Sequence, residues 1–290
     1  MQKEIENFIS YLKVERNYAL NTQQAYERDL YHLLEFLRKQ GVNSWQNLTT
    51  EHLNLLLMSM RNSGMGSRSI RRHLSSVRGF LAYLLTHKII SSNCAVGLQT
   101  PKINQDLPKT LDHDQIKRLV AARSQSITEL RDVAMIEILY SCGLRVSELV
   151  SLNIDSIDDR QGFLQVMGKG SKMRQTPLGK KAQKAIANYL QKTDVTRGAL
   201  FLNNKRQRIS VRFVQAMVKK RALEVGIKVN VHPHMLRHAA ATHFLQSSHD
   251  LRSTQEFLGH ESIKSTQVYT HLDFLELSKV YDKHHPRAKK

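Results

Sequence analysis

Residues 99–108 read Gln99-Thr100-Pro101-Lys102-Ile103-Asn104-Gln105-Asp106-Leu107-Pro108, and here the apolar periodicity of the preceding sequence stops. Each proline disfavours helix in the residue before it, and the stretch between them is polar, so the segment reads as an extended linker. It divides the 290-residue chain into a first domain, 1–98, and a second, 109–290, each large enough to bury its own core.

Upstream the pattern is helical. Ile5, Phe8, Ile9 and Leu12 recur at three- and four-residue spacing and share one face. Asn21 or Thr22 is positioned to cap a second helix carrying Ala25, Tyr26, Leu30, Leu33, Leu34 and Leu37. Thr50 would cap a third, through Leu53, Leu56, Leu57 and Met60 to near Gly64, and Ser67 or Ser69 opens a fourth through Ile70, Leu74, Val77, Leu81 and Leu84. Short loops between such helices predict an antiparallel bundle.

Downstream the pattern is mixed but mostly helical. Asp112 would cap a helix through Ile116, Leu119 and Val120, and another runs from Leu130 to a stop at Gly143. Residues 162–168 and 173–178 read as two short strands around a Gly-Lys-Gly-Ser-Lys turn, and helices are expected at about 179–192, 210–225, 234–247, 253–258 and 263–284. The predicted fold class is therefore mainly α, a helical bundle joined to a mostly helical domain with a small antiparallel β-sheet.

The charge is lopsided, 44 Lys+Arg against 25 Asp+Glu, a formal +19. Residues 1–107 carry +5 and residues 108–290 carry +14, so both halves suit a polyanion and a hinged pair could close around a duplex. The fourth helix concentrates Arg68, Arg71, Arg72 and Arg78, with the first three on one side, as a row of phosphates would require. A solvated surface stripe would look the same. Two cysteines, Cys94 and Cys142, give neither a disulfide framework nor a zinc ligand set. No basic-then-apolar leader and no apolar run near 18 residues is present, so a reduced, cytoplasmic protein without membrane attachment is expected.

Six polar residues agree on one reaction. They are Arg145 in Gly-Leu-Arg-Val-Ser-Glu, Lys169 in Gly-Lys-Gly, His234 and Arg237 in His-Pro-His-Met-Leu-Arg-His, His260 in Leu-Gly-His, and Tyr269 in Thr-Gln-Val-Tyr-Thr-His. A phosphodiester repels nucleophiles through its charge, and arginine neutralises it with a planar fork that stays protonated. Arg145 follows the break at Gly143, where a new helix starts, and Glu148, three residues on, is placed to hold it. Pro233 suits a first helical turn, which puts His234, Arg237 and His238 on one face. Three histidines also suggest a metal site, but no carboxylate or cysteine lies between Val229 and Ser248 and an arginine among the ligands would repel a cation. Ser253-Thr-Gln-Glu256 reads as a capping box for a short helix ending at Gly259, from which His260 emerges. Tyr269 has polar neighbours and a histidine upstream, whereas Tyr26, Tyr83, Tyr140 and Tyr189 sit at core spacing. With a phenol pKa near 10, about one tyrosine in a thousand is ionised at pH 7, so the nucleophile needs a base and a cationic surround. Such a set needs no metal and no nucleotide cofactor, and from residues alone Lys169 and Lys172 are equivalent.

With these motifs the chain resembles the tyrosine recombinases, or phage integrases, and within that family the XerC type. Thr22-x-x-Ala-Tyr-x-x-Asp-Leu30, Met167-Gly-Lys-Gly-Ser-Lys172, His238-x-x-x-Thr-His243 and the His285-Pro-Arg-Ala288 tail extend the likeness over nearly the whole length. The resemblance implies a SAM-like core-binding domain followed by a catalytic domain. It implies that Arg145 and Arg237 grip the scissile phosphate and that Lys169 protonates the leaving 5′ oxygen. In the same scheme His234 assists proton transfer, His260 bonds a phosphate oxygen, and Tyr269 forms a 3′-phosphotyrosyl bond. Lys172 and Arg174, on the same hairpin, join the four bundle arginines as expected DNA contacts. The implied partners are double-stranded DNA, a XerD-type recombinase in a heterotetramer with two of each, and an FtsK-type DNA translocase as regulator. The last helix, with Phe274, Leu275, Leu277 and Val280, is expected to dock into a neighbour, with packing onto its own domain as the alternative. A type IB topoisomerase and a non-enzymatic DNA-binding regulator are the rival readings.

Overall fold

The computed structural model describes residues 1–100, 110–121, 123–168, 173–259 and 271–288, with residues 271–276 described by their backbone alone. The chain divides into two compact units, Met1–Leu107 and Pro108–Lys290. Most of the linker reading, and the readings of Lys169, Lys172, His260 and Tyr269, lie outside the described residues.

In the first unit α1 is Gln2–Val14, α2 Leu20–Lys39, α3 Thr50–Asn62 and α4 Ser67–Thr86. The apolar positions expected from their spacing are buried: Ile5, Phe8 and Leu12 on α1, Leu30, Leu33, Leu34 and Leu37 on α2, and their counterparts on α3 and α4. Burying a side chain of this size contributes about 1.5–3 kcal/mol, so these faces, not helix propensity, hold the bundle together. Trp45, in a short 3₁₀ turn, closes one end; its ring meets Phe80 edge-on at 4.8 Å. The Trp45 Nε1 donates to the Met1 carbonyl at 3.1 Å. Two caps differ from the sequence reading. The Ala19 carbonyl already accepts from Thr22 and Gln23, so α2 is under way before Asn21 or Thr22 could cap it. Thr49, not Thr50, precedes α3, and its backbone N–H donates to His52 Nδ1 at 3.2 Å.

In the second unit α5 is His113–Val120, α6 Ile127–Ser141 and α7 Val146–Ser151. Strands β1 (Ile157–Asp158), β2 (Phe163–Met167) and β3 (Met173–Pro177) follow, then α8 Lys180–Leu190, α9 Val211–Glu224, α10 Pro233–Ser248, α11 Leu251–Leu258 and α12 His271–His284. The strands form an antiparallel sheet in the order β1-β2-β3, with Val166 opposite Arg174. Strand β1 has two residues and no pattern that a sequence could display.

Helix α6 is the centre of this unit, buried on all sides from Val133 to Ser141 and packed against α5, α8 and α10. Asp112 caps α5 as expected, accepting from the Gln115 N–H at 2.7 Å. The cap of α11 is instead Asp250, which accepts from the Arg252 N–H at 2.9 Å; Ser253 lies inside the first turn.

Helix α12 packs on its own unit within this chain. Leu277 and Tyr281 are buried in the second unit's core and Val280 packs against it. The Tyr281 hydroxyl donates to the Ser141 carbonyl at 3.0 Å, and Arg287 Nε donates to Glu137 at 2.7 Å. The side chains of Phe274 and Leu275 lie outside the described residues. No helix among the described residues is long and apolar enough to cross a membrane.

Candidate active site

The site forms where the turn after α6, the start of α7, strand β3 and the start of α10 converge on one carboxylate. Gly143 makes the turn with φ +57°, and a Cβ there would lie 2.9 Å from the Phe257 ring, so glycine is required both for the backbone and for the space. Arg145 then becomes the N-cap of α7. Its backbone N–H donates to Glu148 Oε2 at 2.7 Å and its guanidinium to Oε1 at 2.8 Å, the three-residue pairing expected from sequence.

Glu148 does more than hold Arg145. It is 4 % exposed, and Arg174 Nη2, from β3, donates to the same Oε2 at 3.0 Å. Arg237, on α10, stands 3.9 Å from that oxygen. Among the described residues three guanidinium groups therefore surround one carboxylate, and the cluster keeps a surplus of two positive charges. Such a surplus in a partly desolvated place is unfavourable on its own and attracts an anion strongly.

Arg237 is nearly buried, held by Nη1 donating to the Gly143 carbonyl and Nη2 donating to the Leu258 carbonyl at 2.6 Å. Burial, followed by the charge of Arg145, pulls its guanidinium down to about 10, still protonated at neutral pH. Arg145, by contrast, has a side chain 40 % exposed and can meet a ligand from solvent. His234 lies in the first turn of α10, after Pro233 at its start, and its side chain is exposed. Desolvation, then the charges of His232, Arg237, His238 and Arg145, lowers its pKa, so the imidazole is neutral and basic at physiological pH.

Of the nominated residues, Arg145, Glu148, Arg174 and Arg237 come together, with His234 close enough to feel their charge. Arg174, expected as a DNA contact, is largely turned inward, its side chain 13 % exposed. The strand alternation carried that signal, since buried Thr176 shares its face. The carbonyls of Gly143 and Leu258, which fix Arg237, had no sequence signal. Among the described residues no three His, Cys, Asp or Glu side chains gather as a metal site.

The arginine row on α4 is divided. Arg68, Arg71 and Arg72 are exposed, though Arg72 also donates to the buried Asp29 and to the Ala25 carbonyl at 3.2 Å, and the half-buried Arg78 donates to the Leu98 carbonyl.

This geometry sits in a recognisable family. The phage integrase family model matches residues 109–276, and the model of the phage integrase N-terminal SAM-like domain matches residues 5–88. The chain belongs to the phage integrase family of tyrosine recombinases. Among its relatives, the tyrosine recombinase XerC of a Pseudomonas fluorescens strain is 45 % identical over 294 residues, covering 100 % of this chain and 98 % of the relative. Among solved structures, a lambda integrase dimer bound to a COC′ core site is similar with a TM-score of 0.73 at 16 % identity, covering 100 % of this chain and 79 % of that one. XerH recombinase bound to a palindromic difH substrate is similar with a TM-score of 0.70 at 23 % identity, covering 97 % and 84 %. These two likenesses concern the fold.

Proposed function

We propose that this chain is a site-specific recombinase that cuts and rejoins DNA through a 3′-phosphotyrosyl intermediate, needing neither metal nor ATP. The observation that carries the reading is the cluster on Glu148, whose two surplus positive charges suit one phosphodiester. Arg145 and Arg237 bond the non-bridging oxygens and stabilise the charge that builds as phosphorus becomes pentacoordinate. The Tyr269 oxygen attacks phosphorus while its proton passes to the neutral His234, the P–O5′ bond breaks, and Lys169 protonates the leaving oxygen. His260 bonds a phosphate oxygen. A 5′ hydroxyl from the second duplex reverses the step, so the phosphodiester energy is conserved without an external source.

In this reading the first unit is a DNA-binding core-binding domain and the second the catalytic domain. Arg68, Arg71, Arg72, Arg78 and Lys172 contribute phosphate contacts. The 45 % identity to a XerC recombinase supports pairing with a XerD-type partner, two of each on a short site, in the cytoplasm. Resolution of chromosome or plasmid dimers during segregation, regulated by an FtsK-type translocase, is the corresponding cellular role.

A suicide duplex nicked beside the cleavage point tests the chemistry. The wild type traps a covalent adduct that maps to Tyr269, while Tyr269→Phe binds the same DNA and traps nothing. An adduct on another residue, or none from wild type in any subunit combination, defeats the proposal.

A further inference from the structure

Arg174 differs from the other buried arginines of the second unit. Arg221 shows what a guanidinium kept for stability looks like: Nε donates to the Leu119 carbonyl at 2.8 Å, Nη1 to Glu129 at 2.7 Å and Nη2 to the Ala121 carbonyl. Arg174 uses Nη2 on Glu148, but its Nε and Nη1 are buried without an acceptor among the described residues. Two unpaired buried donors are unfavourable for folding. An arginine with that pattern is poorly explained as a stabilising device.

Its position suggests what it does. Arg174 is the second residue of β3, just after the hairpin segment that contains Lys169, and its partner in register is the core residue Val166. The guanidinium also lies against the C-cap of α11: a Cβ on Gly259 would come within 2.7 Å of Arg174 Nε. Gly259 has φ +61° and directly precedes His260. One side chain thus touches the carboxylate that orders Arg145 and Arg237, the strand that follows Lys169 and the turn that leads to His260.

Glu148 is held from several sides. Its Oε1 accepts from the Arg145 side chain, which is 40 % exposed and open to a ligand, and its Oε2 accepts from the Arg145 backbone N–H at 2.7 Å. Arg237 is 3.9 Å away, beyond hydrogen-bond reach, and tied to two carbonyls. Arg174 is the guanidinium that hydrogen-bonds Oε2, from a strand separate from the helices that carry Arg145 and Arg237.

We propose that Arg174 is a positioning residue for strand cleavage, acting through Glu148 to hold the two phosphate-binding arginines in place against strand β3 and the Gly259 turn, without itself touching DNA. The assignment rests on the recombinase reading above.

The test combines adduct formation on the nicked duplex with duplex affinity measured by anisotropy in the full chain. Arg174→Ala and Arg174→Gln are expected to slow adduct formation about 100-fold while changing the duplex Kd less than about threefold, the split expected for an interaction used in the transition state. Arg174→Lys, which restores a cation, recovers about tenfold of the loss. In a Glu148→Gln background Arg174→Gln costs little more, because both act as one unit. Melting is recorded for each variant, and the Gln variant, which keeps a polar stem, decides should Ala fail to fold. Cleavage by Arg174→Gln within about threefold of wild type, effects that add with Glu148→Gln, or a Kd weakened in step with the rate overturns the assignment. Wild-type protein that forms no adduct on Tyr269 would instead defeat the recombinase reading itself.

Discussion

Two buried carboxylates, one in each unit, hold arginines to opposite ends. Asp29, 4 % exposed in the first unit, accepts from Arg72 and from Ser76, and the pair is neutral. Desolvation raises the Asp29 pKa despite Arg72, as expected for a group that gains little from its ionised form. Glu148, equally buried in the second unit, gathers three arginines and leaves the assembly two charges positive. The first arrangement completes itself; the second is complete only with an anion. A structural ion pair and a binding site are thus distinguished by charge balance, not by burial.

Removing each carboxylate breaks the comparison most sharply. Glu148→Ala leaves three guanidinium groups without their counter-ion and is expected to cost about 3–5 kcal/mol in urea unfolding and to abolish adduct formation. Asp29→Asn is expected to cost about 1–2 kcal/mol and to leave adduct formation on saturating DNA unchanged. Equal penalties in the two assays would remove the distinction.

Acid sharpens it next. His73 in the first unit is lowered to about 4, chiefly by burial, as is His243 in the second, and His285 is lowered to about 3. A depressed histidine is neutral when folded, so its stabilising contribution is full above pH 6.5 and is lost as pH falls toward the folded pKa. Such groups remove up to about 3–5 kcal/mol each over that window, the deepest-shifted His285 the most. With two groups against one, the second unit is expected to unfold first on acidification. Trp45, the only tryptophan, reports the first unit by fluorescence, and its transition should lie at lower pH than loss of total helicity by circular dichroism. Coincident transitions would contradict this.

Gly143→Ala tests how tightly the turn holds Arg237. The positive φ and the Phe257 ring predict a loss of about 1–3 kcal/mol, with slower adduct formation because the Gly143 carbonyl anchors Arg237. The smallest effect is expected on α4. Replacing exposed Arg68 or Arg71 by Ala should lower the salt slope of duplex binding by about one each, and Arg72→Ala by less, since Asp29 already engages it.

What could be read in advance was what lies close in sequence. The helix faces followed from spacing, the Asp112 cap from its Gln115 partner, and the Arg145–Glu148 pair from an interval of three. What could not be read depends on distant chain. The pairing of exposed Arg72 with Asp29, 43 positions away, and the bond from Arg78 to the Leu98 carbonyl had no local signal. Nor did the bond from Arg174 to a carboxylate 26 residues earlier. The apolar positions of α12 fitted a neighbour and its own core alike; within this chain Leu277 and Tyr281 are buried in that core, and Tyr281 bonds the Ser141 carbonyl. The starts of α2 and α11 lay a few residues from the expected caps: Ala19 precedes α2 without a side-chain cap, and Asp250 caps α11.

The central claim is that arginines held by Glu148 neutralise the charge of one phosphate so that Tyr269 can attack it. A nicked duplex whose scissile linkage is a methylphosphonate removes that charge chemically. On this substrate Arg145→Ala, inert toward the ordinary phosphodiester, should regain adduct formation. An Arg145→Ala protein that stays inert on the neutral linkage, while wild type cleaves it, would contradict the account.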